Sequence, residues 1–115
     1  MTVKIYHNPR CSKSRATLQL LREQGVEPEI VEYLNTPPNA EELEDILQKL
    51  DMQPRDLMRR KEPEYKAANL DDPALDRQAL IDAMLATPKL IERPIVLANG
   101  KAAIGRPPEN VLKIL

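Results

Sequence analysis

The stretch His7-Asn8-Pro9-Arg10-Cys11-Ser12-Lys13-Ser14-Arg15 sets a thiol among imidazole, hydroxyl and cationic side chains. The thiolate is the nucleophilic form of cysteine, and neighbouring Arg or Lys and the positive end of a helix all favour it. Cys11 is the only cysteine, so no intrachain disulfide can form during any reaction. A Cys11 that is oxidised or derivatised in turnover must therefore be restored by an external thiol, with glutathione as the small-molecule candidate. The Cys-x-x-Ser spacing keeps the attacking thiol of a redox loop and places Ser14 where a resolving thiol would stand. Ser14 is open to two roles, a hydrogen bond to Cys11 or capping of the helix. His7, the only histidine, either stabilises the thiolate electrostatically or shuttles a proton, or else orders the loop. Asn8 is read as bonding loop backbone. One cysteine and one histidine, with no carboxylate cluster beside them, predict no metal; no bound cofactor is expected either.

Arg59, Arg93 and Arg106 are the other residues whose chemistry stands out. A guanidinium offers a rigid fork of donors that fits a tetrahedral oxyanion, and a cluster of them would also hold a nearby thiol deprotonated. Singly, each reads as a solvated surface residue. Only a fold that gathers them would make a site.

The elements that must do this gathering follow from the pattern. Val3-Lys4-Ile5-Tyr6 alternates like a strand, and His7-Asn8-Pro9 breaks it. From Ser12, the spacing of Ala16, Leu18, Leu20 and Leu21 predicts an amphipathic helix ending at Gly25, so Cys11 falls at its start. Glu29 to Tyr33 reads as a second strand, pairing in parallel with the first through a right-handed crossover. Pro37-Pro38 ends it. Asn39 and Glu42 form a capping-box pattern ahead of the stripe Leu43, Ile46, Leu47, Leu50. A short helix is expected over Pro54 to Lys61, irregular chain over Pro63 to Pro73, an acidic surface loop over Asn69 to Asp76, and a helix over Asp76 to Ala86. Arg93 to Leu97 reads as a third strand, and Asn99-Gly100 is a strong hairpin signal leading into Lys101 to Ile104. Pro107-Pro108 opens a last helix carrying Val111, Leu112, Ile114 and Leu115. The order predicts an α/β, thioredoxin-like fold with a four-stranded mixed sheet. One domain is expected over residues 1–115, with a helical insertion around 39–90, and Pro94 is the candidate for a cis peptide bond.

Composition narrows the class. A chain of 115 residues can bury one core without disulfide or metal staples, and with three Tyr and neither Phe nor Trp that core must be aliphatic. A net charge of −1 supplies no basic field for nucleic acid, and so few aromatics supply no base-stacking surface. Met1 to Tyr6 does not read as a signal segment, and no stretch approaches the roughly 20 apolar residues of a membrane span. A cytoplasmic protein is expected, with neither membrane nor nucleic acid as partner.

The ordered set His7-Asn8-Pro9-x-Cys11-x-x-Ser14-Arg15, Tyr33-Leu34 before Pro37-Pro38, Leu57-Met58-Arg59-Arg60-Lys61, Leu90-Ile91-x-Arg93-Pro94-Ile95-Val96 and Gly105-Arg106-Pro107 resembles the glutaredoxin-dependent arsenate reductase family. The resemblance covers essentially the whole chain. It implies a catalytic cysteine at Cys11 and arsenic-binding arginines at Arg59, Arg93 and Arg106. His7 and Ser14 match supporting residues of the family, and Asn8 and Arg15 complete the set around the thiol. It further implies arsenate as substrate, glutathione as co-substrate and glutaredoxin as partner. Well-known members read Cys-Gly-Thr-Ser-Arg where this chain reads Cys11-Ser12-Lys13-Ser14-Arg15, and they carry a C-terminal tail beyond the equivalent of Leu115.

Two other readings fit the same residues. One is a glutathione-linked thiol reductase acting on a mixed disulfide or another oxyanion. The other is a non-enzymatic regulator that binds RNA polymerase; such regulators share the fold but typically carry a Cys-x-x-Cys switch, which Ser14 removes here.

Overall fold

A computed structural model describes residues 2–115, and Met1, the first residue of the stretch read above for a signal segment, lies outside the described residues. The chain falls into two compact units, one comprising the chain up to Thr36 together with Arg93–Leu115, the other Pro37–Glu92.

The first unit is built on a four-stranded sheet in the order β2-β1-β3-β4, with β1 at Lys4–His7, β2 at Glu29–Glu32, β3 at Ile95–Ala98 and β4 at Lys101–Ile104. β1 and β2 pair in parallel, Ile5 facing Ile30, while β3 lies antiparallel to β1, Val96 facing Ile5, and β4 lies antiparallel to β3. This is the thioredoxin-like arrangement expected from the element order. Helix α1, Ser12–Glu23, connects β1 to β2. Its C-terminus closes as a Schellman motif: Val26 N–H donates to Leu21 O at 3.0 Å and Gly25 N–H to Arg22 O at 3.0 Å. Gly25 takes the left-handed φ of +78° that this ending requires. Asn99 and Gly100 both have positive φ, as a two-residue hairpin turn demands. The core joins Val3, Ile5, Val96 and Ala98 of the sheet to Leu21, Val111 and Ile114; this cluster is aliphatic as expected, but Tyr6 and Tyr33 of the same unit are buried too.

Two details of this unit differ from the sequence-based expectation. The inner face of α1 is Ser14, Thr17 and Leu21, while Ala16 is exposed and Leu18 and Leu20 are half-buried. Leu21 is buried and Leu18 and Leu20 pack against the core as the stripe predicted, but apolarity alone placed Ala16 wrongly and passed over Ser14 and Thr17, whose hydroxyls find partners near the thiol loop. The last helix is a 3-10 helix over Pro108–Ile114 rather than an α-helix. Both Arg93-Pro94 and Arg106-Pro107 are cis; the second was not anticipated.

In the second unit, α2 spans Ala40–Leu50 and α4 spans Arg77–Ala86. Asn39 Oδ1 accepts from Glu42 N–H at 2.8 Å and Glu42 Oε1 accepts from Asn39 N–H at 3.0 Å, a reciprocal capping box. Leu43, Ile46 and Leu47 of α2 and Leu80, Ile81 and Met84 of α4 are buried where the two helices pack, and Arg77 of α4 grips Glu44 of α2 with an N···O distance of 2.7 Å. Between them the chain differs from expectation. Only Pro54–Leu57 is helical, as a 3-10 turn, after which Met58 becomes extended and bridges Ile91. The stretch read as irregular contains a short helix, α3, at Pro63–Ala67, begun by a Pro at its first position and anchored by buried Tyr65. Residues 68–76 beyond it form turns, mostly exposed.

Candidate functional site

Cys11 is the N-cap of α1, with extended backbone (φ −94°, ψ 124°), and its side chain makes no capping hydrogen bond. The sulfur is thus not spent on the helix, yet it sits where unpaired N–H groups and the helix dipole favour an anion. No acidic residue lies in the first turn to compete. The thiol is largely buried, 8% exposed. Nη1 of Arg106 lies 3.9 Å from Cys11 Sγ and donates to Arg93 O at 3.2 Å, so β4's exit loop delivers a guanidinium to the thiol while gripping the backbone at β3's entry.

The loop ahead of Cys11 is fixed by its own polar atoms. Asn8 Oδ1 accepts from Arg10 N–H at 3.0 Å, and Asn8 O accepts from Cys11 N–H at 3.0 Å. Arg15 Nη1 donates to Pro9 O at 2.9 Å. Asn8 and Arg15 therefore brace the loop. Ser14, fully buried, has its Oγ 2.6 Å from His7 Nδ1 and accepts from Asn8 N–H at 3.0 Å. Of the two roles open to Ser14, the structure has neither; its hydroxyl ties the end of β1 to α1. His7 is buried, and burial is the main cause of a pKa below its ordinary value of 6.5, opposed by the nearby Glu32 carboxylate and reinforced by Arg22 and Arg15. A neutral imidazole can accept the Ser14 hydroxyl proton at Nδ1.

A protein-family model described as the ArsC family matches residues 6–114. The chain belongs to the ArsC family. It is 64% identical over 114 residues to an uncharacterized protein of Escherichia coli strain K12, YfgD, spanning 98% of this chain and 96% of that one. It is 56% identical over 114 residues to an arsenate reductase of Neisseria meningitidis serogroup A, spanning 98% and 97% of the two chains. The solved structure of an arsenate reductase from Vibrio cholerae superposes with a TM-score of 0.97 at 55% identity, covering 100% of this chain and 98% of that one.

For this ArsC-family chain, the structure joins two of the three sequence-derived arginines directly, through the Arg106 to Arg93 backbone hydrogen bond. Arg59 belongs to the second unit. Its N–H donates to Leu90 O at 2.7 Å, and its guanidinium is held by Glu62, 2.9 Å from Nη1, and by Glu92, 3.8 Å from Nε. Glu62 also lies 3.6 Å from Lys89. Sequence reasoning missed both carboxylates, although Glu62 at i+3 carries a local signal of an ion pair. It also missed Thr17, buried against Gly105 of the loop that carries Arg106. The hydroxyls at Ser14 and Thr17, three residues apart on one helix face, are the signal that could have marked Thr17. Among the described residues, no helix is long and apolar enough to cross a membrane.

Proposed function

We propose that this chain reduces arsenate to arsenite in the reducing cytoplasm, with Cys11 as nucleophile and two external thiols as the source of electrons. The observation that carries this reading is the Cys11 sulfur left uncapped at the start of α1 with the Arg106 guanidinium 3.9 Å away, a thiolate-favouring setting beside a fork of donors suited to an oxyanion. The names of the relatives at 56% and 55% identity support the choice of arsenate.

In this reading Arg59, Arg93 and Arg106 bind the oxyanion, Arg59 on the strength of the family resemblance. The Cys11 thiolate attacks arsenic and an arsenic-bound oxygen leaves as water, giving a thiol–arsenate adduct with arsenic still pentavalent. Glutathione displaces a second oxygen as water to give a Cys11–arsenic–glutathione species. A glutaredoxin thiolate then attacks the glutathione sulfur; the arsenic–sulfur bond breaks with its electron pair passing to arsenic, which becomes trivalent, and a mixed disulfide departs. Water hydrolyses the remaining Cys11–arsenic bond, releasing arsenite and the thiol. Both electrons come from outside because the chain has a single cysteine.

The test is arsenate-dependent NADPH oxidation in the presence of glutathione, glutaredoxin and glutathione reductase. Wild type turns over and Cys11→Ser does not, with unchanged circular dichroism. Turnover in Cys11→Ser near that of wild type overturns the nucleophile assignment, and no turnover by folded wild type overturns the substrate.

A further inference from the structure

Gly105 and Thr17 are buried, lie next to the thiol site and take no part in the chemistry above. Gly105 is not in the left-handed region, so its φ does not demand glycine. Space does. A Cβ on Gly105 would run into Thr17 Oγ1 and stand 3.0 Å from Thr17 Cγ2 and 2.8 Å from Pro94 Cγ, well inside the roughly 3.5–4.0 Å at which carbon atoms rest. Thr17 cannot swing aside freely, because it is fully buried and its Oγ1 donates to Lys13 O at 2.8 Å. The same oxygen lies 3.4 Å from Gly105 O, and Gly105 N–H donates to Pro94 O at 3.0 Å. Gly105 is therefore seated between α1 and the start of β3, and the next residue is Arg106, whose guanidinium reaches Cys11 Sγ.

We propose that Thr17 and Gly105 are positioning residues for Arg106: their side-chain-to-backbone contact sets how far the exit loop of β4 stands from the N-cap of α1, and so the approach of the Arg106 guanidinium to the Cys11 sulfur. The functional weight of this rests on the reading of Arg106 as an oxyanion ligand, but the geometry does not depend on arsenate.

The experiment compares alkylation of Cys11 by iodoacetate, an anion, and iodoacetamide, its neutral analogue. Both consume the same thiolate, so the ratio of their rates cancels the thiolate fraction and reports the cation beside the sulfur. A general loosening of the fold raises both rates and leaves the ratio alone. A cation that comes within about 4 Å of the reagent's carboxylate favours iodoacetate on the order of fivefold even at the dielectric of water, and Arg106→Gln sets the floor. Gly105→Ala is expected to lower the ratio most of the way to that floor. Adding Thr17→Ala to Gly105→Ala removes two of the three clashing atoms and should return the ratio to within about twofold of wild type. If Gly105→Ala does not fold, Thr17→Ala alone, which opens a void behind the loop, is expected to lower the ratio about twofold. A wild-type ratio in Gly105→Ala, or in Thr17→Ala where that variant stands in, overturns the proposal, as does a double variant no better than Gly105→Ala. If Arg106→Gln itself leaves the ratio unchanged, the placing of Arg106 against the thiol falls, and the proposal with it; if only Arg106→Gln lowers it, the positioning role alone falls.

Discussion

Ser14 Oγ stands 2.6 Å from His7 Nδ1 and accepts the Asn8 N–H at 3.0 Å, joining the last residue of β1, the thiol loop and the first turn of α1 through one buried hydroxyl. Ser14→Ala leaves both partners without that oxygen. Losing a buried hydrogen-bonded group costs about 1–3 kcal/mol, and a lower midpoint in urea is the expected result. Because the hydroxyl serves the loop and makes no bond to Cys11, arsenate turnover should fall far less than in Cys11→Ser. Unchanged stability in Ser14→Ala would show that the hydroxyl does not hold the loop.

His7 makes stability depend on pH in a direction set by burial. Its pKa in the folded chain lies below 6.5, so around and just below that pH the unfolded chain holds a proton that the folded one has released. Stability from this group is complete above 6.5 and is lost as pH falls toward the folded value. His7→Gln should flatten that part of the profile. Urea midpoints between about pH 5 and 7.5 for both proteins measure it, and since the chain has one histidine, a single imidazole NMR signal reports the titration directly. Parallel profiles would contradict the assignment.

Arg59 is already engaged by carboxylates, Glu62 at 2.9 Å and Glu92 at 3.8 Å. The proposed oxyanion has to compete with them for the same guanidinium. Replacing Glu62 by Gln removes the closer competitor's charge, and for a partly exposed pair worth about 0.7 kcal/mol the KM for arsenate should drop roughly threefold at similar kcat. Steady-state kinetics decide this: a KM that rises would mean that Glu62 orients Arg59 rather than competing for it.

The second unit has its own handle in the capping box. Asn39→Ala removes the acceptor for Glu42 N–H and should cost about 1 kcal/mol, read as a lower urea midpoint. The ratio of iodoacetate to iodoacetamide rates at Cys11 should stay at the wild-type value, since the cap lies in Pro37–Glu92 and the thiol does not.

Much of the candidate site was legible because its signals are local. A thiol opening a helix follows from a strand, a Pro-containing break and an amphipathic stretch in succession, and the capping box and Asn99-Gly100 turn involve atoms only a few residues apart. The inner face of α1 was not legible from apolarity, because buried Ser14 and Thr17 look like surface residues until their partners are known. The single cysteine likewise excluded an intrachain disulfide whatever the fold.

By itself, then, the sequence determined the strands and main helices of the sheet-bearing unit, the position of Cys11 at the start of α1 and, with one cysteine, that no disulfide can form within the chain, all of which depend on short-range pattern or on counting. The tertiary structure decided what depends on distant residues sharing space. Arg106 reaches a sulfur 95 positions away, Gly105 must be glycine because Thr17 occupies the room for a side chain, and Ser14 serves His7 rather than the thiol. Chain order carries no such distances. They arise only when β3 pairs with β1 and β4 with β3, bringing the loops at their ends to the first turn of α1.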